Sequence, residues 1–270
     1  MFMLKKSLTR KIYKYTDKIT VNALKETEST NKLAKQAALG GAKEGYTVIA
    51  ERQTGGRGRL GRRFYSPDGG VYFSVVLRPD ISPQETTFIT VAAAVAVARA
   101  IEEVSGKQCL IKWVNDIYID GKKVCGILTE GALSKSGEKL QYAVLGVGIN
   151  LFEPKKGFPK DLPIADSIFN KKVKKCGIVQ KNKLKAQIIA KSVNFFFEFY
   201  NKPHKSDYIK EYQRKSLLTG KRVTYTQNGE TLIGEVLGID DSARLIVKNG
   251  DKTTALYSGD VSITNVEGVF

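Results

Sequence analysis

The run Glu51-Arg52-Gln53-Thr54-Gly55-Gly56-Arg57-Gly58-Arg59-Leu60-Gly61-Arg62-Arg63 constrains this chain more than any other stretch. It joins a strand-like apolar run (Tyr46, Val48, Ile49, Ala50) to the turn Ser66-Pro67-Asp68-Gly69-Gly70, after which residues 71–77 form a second apolar run. Its glycines lower the cost of unusual backbone angles and leave the arginines between them free to close on a ligand. Guanidinium forks grip phosphate or carboxylate bidentately. The alternative is a flexible basic loop that touches nothing.

Two familiar glycine patterns fit the spelling and fail on context. Gly56-x-Gly58-x-x-Gly61 matches the dinucleotide fingerprint, which needs a helix after its last glycine. Here a Pro-Gly turn and an aromatic, β-branched strand follow. A protein-kinase glycine loop does lie between strands, but the chain has neither His-Arg-Asp nor Asp-Phe-Gly, and no Walker sequence. The loop therefore reads as an anion clamp of another kind.

Composition bounds the rest. A chain of 270 residues with 42% hydrophobic side chains can hold one large core, or a large and a small one. No apolar run reaches the ~18 residues of a membrane span, and the N-terminus does not read as a secretory signal. Cys109, Cys125 and Cys176 lack metal or redox spacing, which suits free thiols in a reducing cytoplasm. The formal charge of +17 would suit a nucleic-acid binder, yet it is spread along the chain and is mostly lysine. Runs such as Lys171-Lys172-Val173-Lys174-Lys175 read as solvated surface. His204 is the only histidine, which argues against a histidine base.

Along the chain, strand character is expected around residues 11–15. A helix follows Glu28-Ser29-Thr30-Asn31, with Ser29 or Thr30 as N-cap, and closes at Gly40-Gly41. A helix start offering hydroxyls and an amide can also hold a small polar group. Residues 85–104 read as a buried, alanine-rich helix. Residues 109–119 are strand-like, Asp120-Gly121-Lys122 is a hairpin turn, and return strands span 123–131 and 142–150. Helices are expected over 183–200 and 207–218. Five short strands then alternate about Asn228-Gly229 and Asn249-Gly250, making a small barrel that needs docking for stability. The expected fold class is α+β: a mixed, mainly antiparallel sheet flanked by helices over residues 1–217, and the barrel over 218–270.

Lys112, Asn115, Asp116 and Lys123 are expected on two strands joined by a tight turn. A buried strand lysine is costly unless an anion accompanies it, and a phosphate would remove that cost. Asp116 could then hold a magnesium ion bridging phosphate oxygens; an ordinary surface ion pair is the alternative.

The set Glu28-Ser29-Thr30-Asn31, Gln53-x-x-Gly56-Arg57-Gly58-Arg59-x-Gly61-Arg62, Lys112-Trp113-x-Asn115-Asp116, Lys123-x-x-Gly126-Ile127-Leu128 and Gly146-x-Gly148-Ile149-Asn150 resembles the biotin–protein ligases. The resemblance implies the catalytic fold shared with class II aminoacyl-tRNA synthetases and an SH3-like C-terminal barrel. It also implies a short form without the N-terminal DNA-binding module of larger members. The implied reaction activates biotin with ATP and Mg2+ as biotinyl-5′-adenylate. The acyl group then passes to a lysine of a biotin carboxyl carrier protein, in the cytoplasm, with no specific DNA binding and no membrane.

By that resemblance Ser29, Thr30, Asn31, Gln53, Gly56 and Gly126 serve biotin, and Arg57, Gly58, Arg59 and Lys123 its carboxylate and the phosphate. Arg62, Phe64, Lys112, Trp113, Asn115, Asp116 and Asn150 serve the nucleotide. Arg57, Arg59, Lys123 and Asp116 are expected to carry the chemistry. Val114, Phe64 and Leu60 depart from the proline, tryptophan and arginine common in the family. The resemblance leaves monomer and homodimer open. The nearest alternative is a lipoate–protein ligase; a basic nucleic-acid-binding protein is the alternative from another class.

Overall fold

Strand β3 (Val71–Leu77) is buried at all seven positions, so both its faces must be covered. The computed structural model describes residues 2–169, 177–202, 205–227, 229–257, 259 and 261–264. The lysine run at 171–175, Cys176, His204 and Asn228 lie outside the described residues. Side chains alternate along a strand with period two. Accordingly Val71, Phe73, Val75 and Leu77 enter one core cluster, against helices α3 (Thr86–Ser105) and α4 (Ile178–Tyr200). On the other face Val76 packs with Ala34 and Ala38 of helix α2 (Thr30–Leu39).

Around β3 the strands β1 (Thr20–Thr27), β2 (Tyr46–Gln53), β4 (Leu110–Lys112), β5 (Asp116–Ile119), β6 (Lys122–Leu133) and β7 (Leu140–Ile149) complete a seven-stranded sheet. Its order is β1-β2-β3-β7-β6-β5-β4. Only β1 and β2 run parallel, with α2 as their crossover. The other pairs are antiparallel, as the order of hairpins suggested. Helix α3 matches the alanine-rich expectation within one residue at each end, and the whole stretch from Ile89 to Ala98 is buried.

Three local expectations are corrected. Lys11 and Ile12 are not strand but the end of helix α1 (Phe2–Ile12), and Tyr13 to Tyr15 form a turn. Leu8 and Ile12 stand one helical turn apart and are both buried beside α4, so tertiary packing overrides the β-branched and aromatic composition. Helix α5 (Ser206–Arg214) stops four residues before the expected end. There the chain leaves to serve the backbone of edge strand β4: Ile111 N donates to Lys215 O at 2.7 Å, and Leu217 N to Ile111 O at 2.9 Å. Finally, the residues 112–123 occupy three strands, not two. A first reversal places Lys112 opposite Asp116. The second is a two-residue turn at Asp120 (φ 49°) and Gly121 (φ 74°), with Lys122 already paired to Ile119.

The C-terminal strands β8 (Arg222–Gln227), β9 (Glu230–Ile239), β10 (Leu245–Asn249), β11 (Lys252–Leu256) and β12 (Val261–Ile263) form a five-stranded antiparallel sheet ordered β11-β10-β9-β8-β12. Asn249 pairs with Lys252, so the β10–β11 turn is Gly250-Asp251. Val223, Tyr225, Val236, Leu245 and Val247 belong to the same core cluster as the large sheet. Polar contacts reinforce the docking: Trp113 Nε1 donates to Ala243 O at 2.9 Å, and Gln213 Nε2 to Ile239 O at 3.0 Å. No helix among the described residues is long and apolar enough to cross a membrane.

Two measurements check this packing. Ile12→Ala removes a fully buried side chain and is expected to lower the unfolding free energy in urea by about 2–5 kcal/mol; a change below about 0.5 kcal/mol would mean that α1 does not dock. Cys109 and Cys125 are buried, which pushes the Cys109 thiol up to about 12 and the Cys125 thiol well above its ordinary value. Both therefore stay protonated at pH 8, and iodoacetamide should modify them at least ~100-fold more slowly in native protein than in urea. Peptide mapping after labelling reads this directly.

Candidate active site

The cavity is built where α2 begins. Ser29 caps the helix with extended angles (φ −157°, ψ 129°), and its Oγ accepts from Lys32 N. Thr30 and Asn31 are buried yet face the cavity. The parallel register sets Thr27 beside Gln53, so the end of β2 faces the first turn of α2. Gln53 Oε1 lies 2.8 Å from Thr30 N and 3.0 Å from Thr30 Oγ1, while its Nε2 donates to Ser66 Oγ at 2.9 Å. Asn31 Nδ2 donates to Glu130 Oε2 at 2.7 Å. Burial works to raise the Glu130 carboxyl, but hydrogen bonds from Lys35 and Asn31 and the charge of Arg57 outweigh it and hold the carboxyl below its usual range.

Glycines set how closely these groups approach. A Cβ on Gly146 would sit 2.0 Å from Asn31 Oδ1, and one on Gly56 would sit 2.4 Å from Phe64 O. Gly126 and Gly148 face each other on β6 and β7, and a Cβ on either would come within 2.9 Å of the Phe64 ring. Phe64 thus lies flat on a side-chain-free patch of sheet.

The glycine–arginine segment folds back as a small hairpin. Phe64 N donates to Gly56 O at 2.9 Å, Gly58 N to Arg62 O at 2.7 Å, and Arg57 bridges Arg63. Leu60 at the tip adopts φ 55° and is 71% exposed, so it contributes to neither packing nor charge. Arg57, Gly58, Arg59 and Arg62 line the main cavity; Gly56 lies in a neighbouring hollow with Glu28 and Glu130.

The opposite wall is the Lys112–Lys123 double hairpin. Lys123 Nζ meets Asp116 Oδ2 at 2.6 Å. Asn115 Nδ2 donates to Ile127 O at 2.6 Å, and Arg59 reaches across to Asn115 Oδ1 at 3.5 Å. Lys112, Trp113 and Asn150 line the same space. The arginine loop and the hairpin, separate in sequence, thus border one cavity. Asp116 is the one carboxylate on its wall among the described residues, against several cations. The cavity therefore favours an anionic ligand.

Other lining residues escaped sequence reasoning. Phe158, Leu162, Ile164 and Ala165 come from the stretch between the 142–150 strand and the 183–200 helix, which was given no role from the sequence. Lys123 N donates to Ile164 O at 2.7 Å and Asp166 N to Lys123 O at 3.0 Å, fixing that loop over the hairpin. Its apolar residues amid polar neighbours were the available signal. Ser74, the one small polar side chain in a buried strand of large apolar and aromatic residues, was another; its Oγ is 2.6 Å from Asn31 Oδ1. Glu130 and the barrel residues Gly259 and Val261 carried no signal of their own.

No cluster of three or more His, Cys, Asp or Glu capable of holding a metal occurs among the described residues. A closed protein cage for a cation is thus not offered there. One carboxylate, Asp116, beside a wall of basic side chains does fit magnesium, which uses one or two carboxylates plus substrate phosphates.

Comparison with known proteins agrees with this geometry. Residues 23–150 match the Biotin/lipoate A/B protein ligase family, and residues 218–263 match the Biotin protein ligase C terminal domain. The chain is 37% identical over 240 residues to the bifunctional ligase/repressor BirA of Bacillus subtilis, covering 87% of this chain and 71% of that one. It is 29% identical to the biotin–[acetyl-CoA-carboxylase] ligase of Mycobacterium tuberculosis, covering 89% and 88%. Among solved structures, the biotin protein ligase of Aquifex aeolicus in complex with biotin and ATP superposes with a TM-score of 0.71 at 25% identity, covering 91% of this chain and 98% of that one. The chain belongs to the biotin protein ligase family.

Proposed function

We propose that this protein joins biotin to a lysine of a biotin carboxyl carrier protein in two steps driven by ATP. The observation that carries the reading is a single cavity with a hydrogen-bonding end (Ser29, Thr30, Asn31, Gln53) and a cationic end (Arg57, Arg59, Arg62, Lys112, Lys123). The relatives named above support it, including a structure that holds biotin and ATP together. Residues 1–217 form the catalytic unit and residues 218–270 the barrel docked on it.

The first step brings a carboxylate against a triphosphate. The carboxylate oxygen attacks the α-phosphorus, the bridging P–O bond breaks, and pyrophosphate leaves. Two anions approach each other, and charge grows on the α-phosphoryl oxygens. Arg57, Arg59 and Lys123 neutralise both effects from opposite walls of the cavity. Asp116 would be the protein carboxylate for a magnesium ion bound with ATP, which would supply further neutralisation of the phosphates. Ser29, Thr30, Asn31 and Gln53 hold the ring system of biotin, and the Gly126–Gly148 patch with Phe64 accommodates its apolar part. Gly56 and Gly58 let the loop backbone approach, and Lys112, Trp113, Asn115 and Asn150 hold the nucleotide.

In the second step the neutral amine of the carrier lysine attacks the acyl carbon and AMP leaves with the bridging oxygen. No protein nucleophile is required. The free thiols and the carrier substrate suit the cytoplasm.

Incubating the protein with ATP, biotin and a carrier domain, and mapping biotinylated lysine by mass spectrometry, tests the reading. Lipoate in place of biotin is expected to release pyrophosphate at least ~100-fold more slowly; equal rates would favour the lipoate alternative. Lys123→Met is expected to reduce biotin-dependent pyrophosphate exchange by roughly 100–1000-fold, and near-wild-type exchange would remove Lys123 from the chemistry. The arginine hairpin is also a lid that excludes water from the mixed anhydride. Trypsin should cut between Arg57 and Arg63 readily in the free protein and slowly once biotin and ATP are added; identical rates would contradict a lid.

A further inference from the structure

With Lys112 opposite Asp116, the turn between β4 and β5 consists of Trp113, Val114 and Asn115. Each of the three is held by a different element. Trp113 Nε1 donates to Ala243 O of the barrel. Asn115 is tied to β6 twice: Ile127 N donates to its main-chain oxygen at 3.0 Å, and its Nδ2 donates to Ile127 O at 2.6 Å. Val114 is held by α5, where the Tyr212 hydroxyl donates to Val114 O at 2.9 Å. Trp113 and Asn115 line the cavity, whereas Val114 and Tyr212 do not.

Tyr212 is fully buried, and its phenol has one hydrogen to give, which Val114 O takes. Burial pushes the phenol upward, with the charge of Arg59 working against it and that of Asp116 adding to it, so the donor persists across the working range of pH. On both sides of Tyr212, α5 is fastened to the buried helix α3: Glu211 accepts from Arg99 Nε at 2.8 Å, and Lys215 Nζ meets Glu102 at 2.6 Å. The carbonyl of Val114 and the amide nitrogen of Asn115 belong to one planar unit. Fixing Val114 O therefore fixes the plane from which the Asn115 side chain departs. Since Ile127 O only accepts, Asn115 Nδ2 must face it, and Asn115 Oδ1 is turned to Arg59 at 3.5 Å.

From this we infer that Tyr212 is a positioning residue for the adenylation step: by holding the Val114–Asn115 peptide plane it aims Asn115 Oδ1 at Arg59, and so keeps that guanidinium at the phosphate end of the cavity. The inference rests on the ATP-dependent reading above and refines it. Without the hydroxyl, Val114 O becomes a buried acceptor with no donor, a costly state that the plane relieves by turning. Such a turn moves Asn115 and Arg59. It leaves Ser29, Thr30, Asn31 and Gln53 in place, because they are built on α2 and β2. The signature is a defect in the use of ATP with biotin binding preserved, which a merely structural role for the hydroxyl does not produce.

Tyr212→Phe keeps the ring and removes one oxygen. In biotin-dependent pyrophosphate exchange its kcat/KM for ATP is expected to fall about tenfold or more, while the calorimetric affinity for biotin without ATP stays within about threefold. Tyr212→4-aminophenylalanine returns an N–H donor to the same place and is expected to recover exchange to within about threefold of wild type. In an Asn115→Ala background the further loss caused by Tyr212→Phe is expected to shrink below about threefold, because the side chain it aims is gone. Ile12→Ala, which loosens the core elsewhere, is the control for stability: its melting temperature drops without the selective ATP defect. Unchanged exchange in Tyr212→Phe, ATP and biotin weakened alike, no rescue by the donor-bearing variant, or the full loss repeated in the Asn115→Ala background would each overturn the inference and leave the ligase reading intact. A Tyr212→Phe protein that does not fold would overturn it too, since the hydroxyl would then serve the core. Absence of exchange in the wild-type protein would instead overturn the ligase reading itself.

Discussion

Bringing two anions into contact in a protein needs cations that are already in place, because in a low-dielectric cavity the repulsion is screened by little else. Here those cations come from two places that border one cavity. The arginines sit on a hairpin closed by its own main-chain bonds. Lys123 is tethered on the facing wall, by a carboxylate at 2.6 Å and by main-chain bonds to the 158–166 loop. Asp116 is useful in this arrangement because it keeps Lys123 oriented. It is too little negative charge to cancel the surrounding guanidinium and ammonium groups.

The sheet supplies the space for this. Gly126 and Gly148 remove side chains from one patch of β6 and β7, and Phe64 fills part of it. Gly146 does the same for Asn31 two pairs further along. A glycine in a strand interior ordinarily weakens it. These three are tolerated because β6 and β7 are central, paired on both sides and backed by the α3–α4 layer. The cavity is a local exception to close packing, backed by the buried α3–α4 side of the sheet.

Much of this was legible in the sequence. The strand–loop–strand form of residues 46–77, the alanine-rich helix and the Asp-Gly turn each follow from one local rule, and the structure keeps them. The motif residues on the loop and the hairpin line one cavity because they sit at strand ends brought to one side of the sheet, although the sequence reading put the hairpin on two strands where the structure has three. Misreadings fell where packing partners decide. Ile12 and Tyr13 look like strand until α4 is there to receive a helix, and Ser216 leaves α5 to pair with edge strand β4. Ser74 and Glu130 were missed because a buried serine and a strand glutamate mean nothing until Asn31 is seen between them. Gly259 and Val261 reach the cavity only through the docking of the barrel, fixed by the contact of Trp113 with Ala243.

The most direct examination of the central claim is a crystal structure with a non-hydrolysable analogue of biotinyl-5′-adenylate bound. The account predicts Arg57 guanidinium and Lys123 ammonium nitrogens within hydrogen-bonding distance, ~2.7–3.2 Å, of the oxygens around the acyl–phosphate linkage. An analogue seated in the cavity with either side chain turned out to solvent would contradict it.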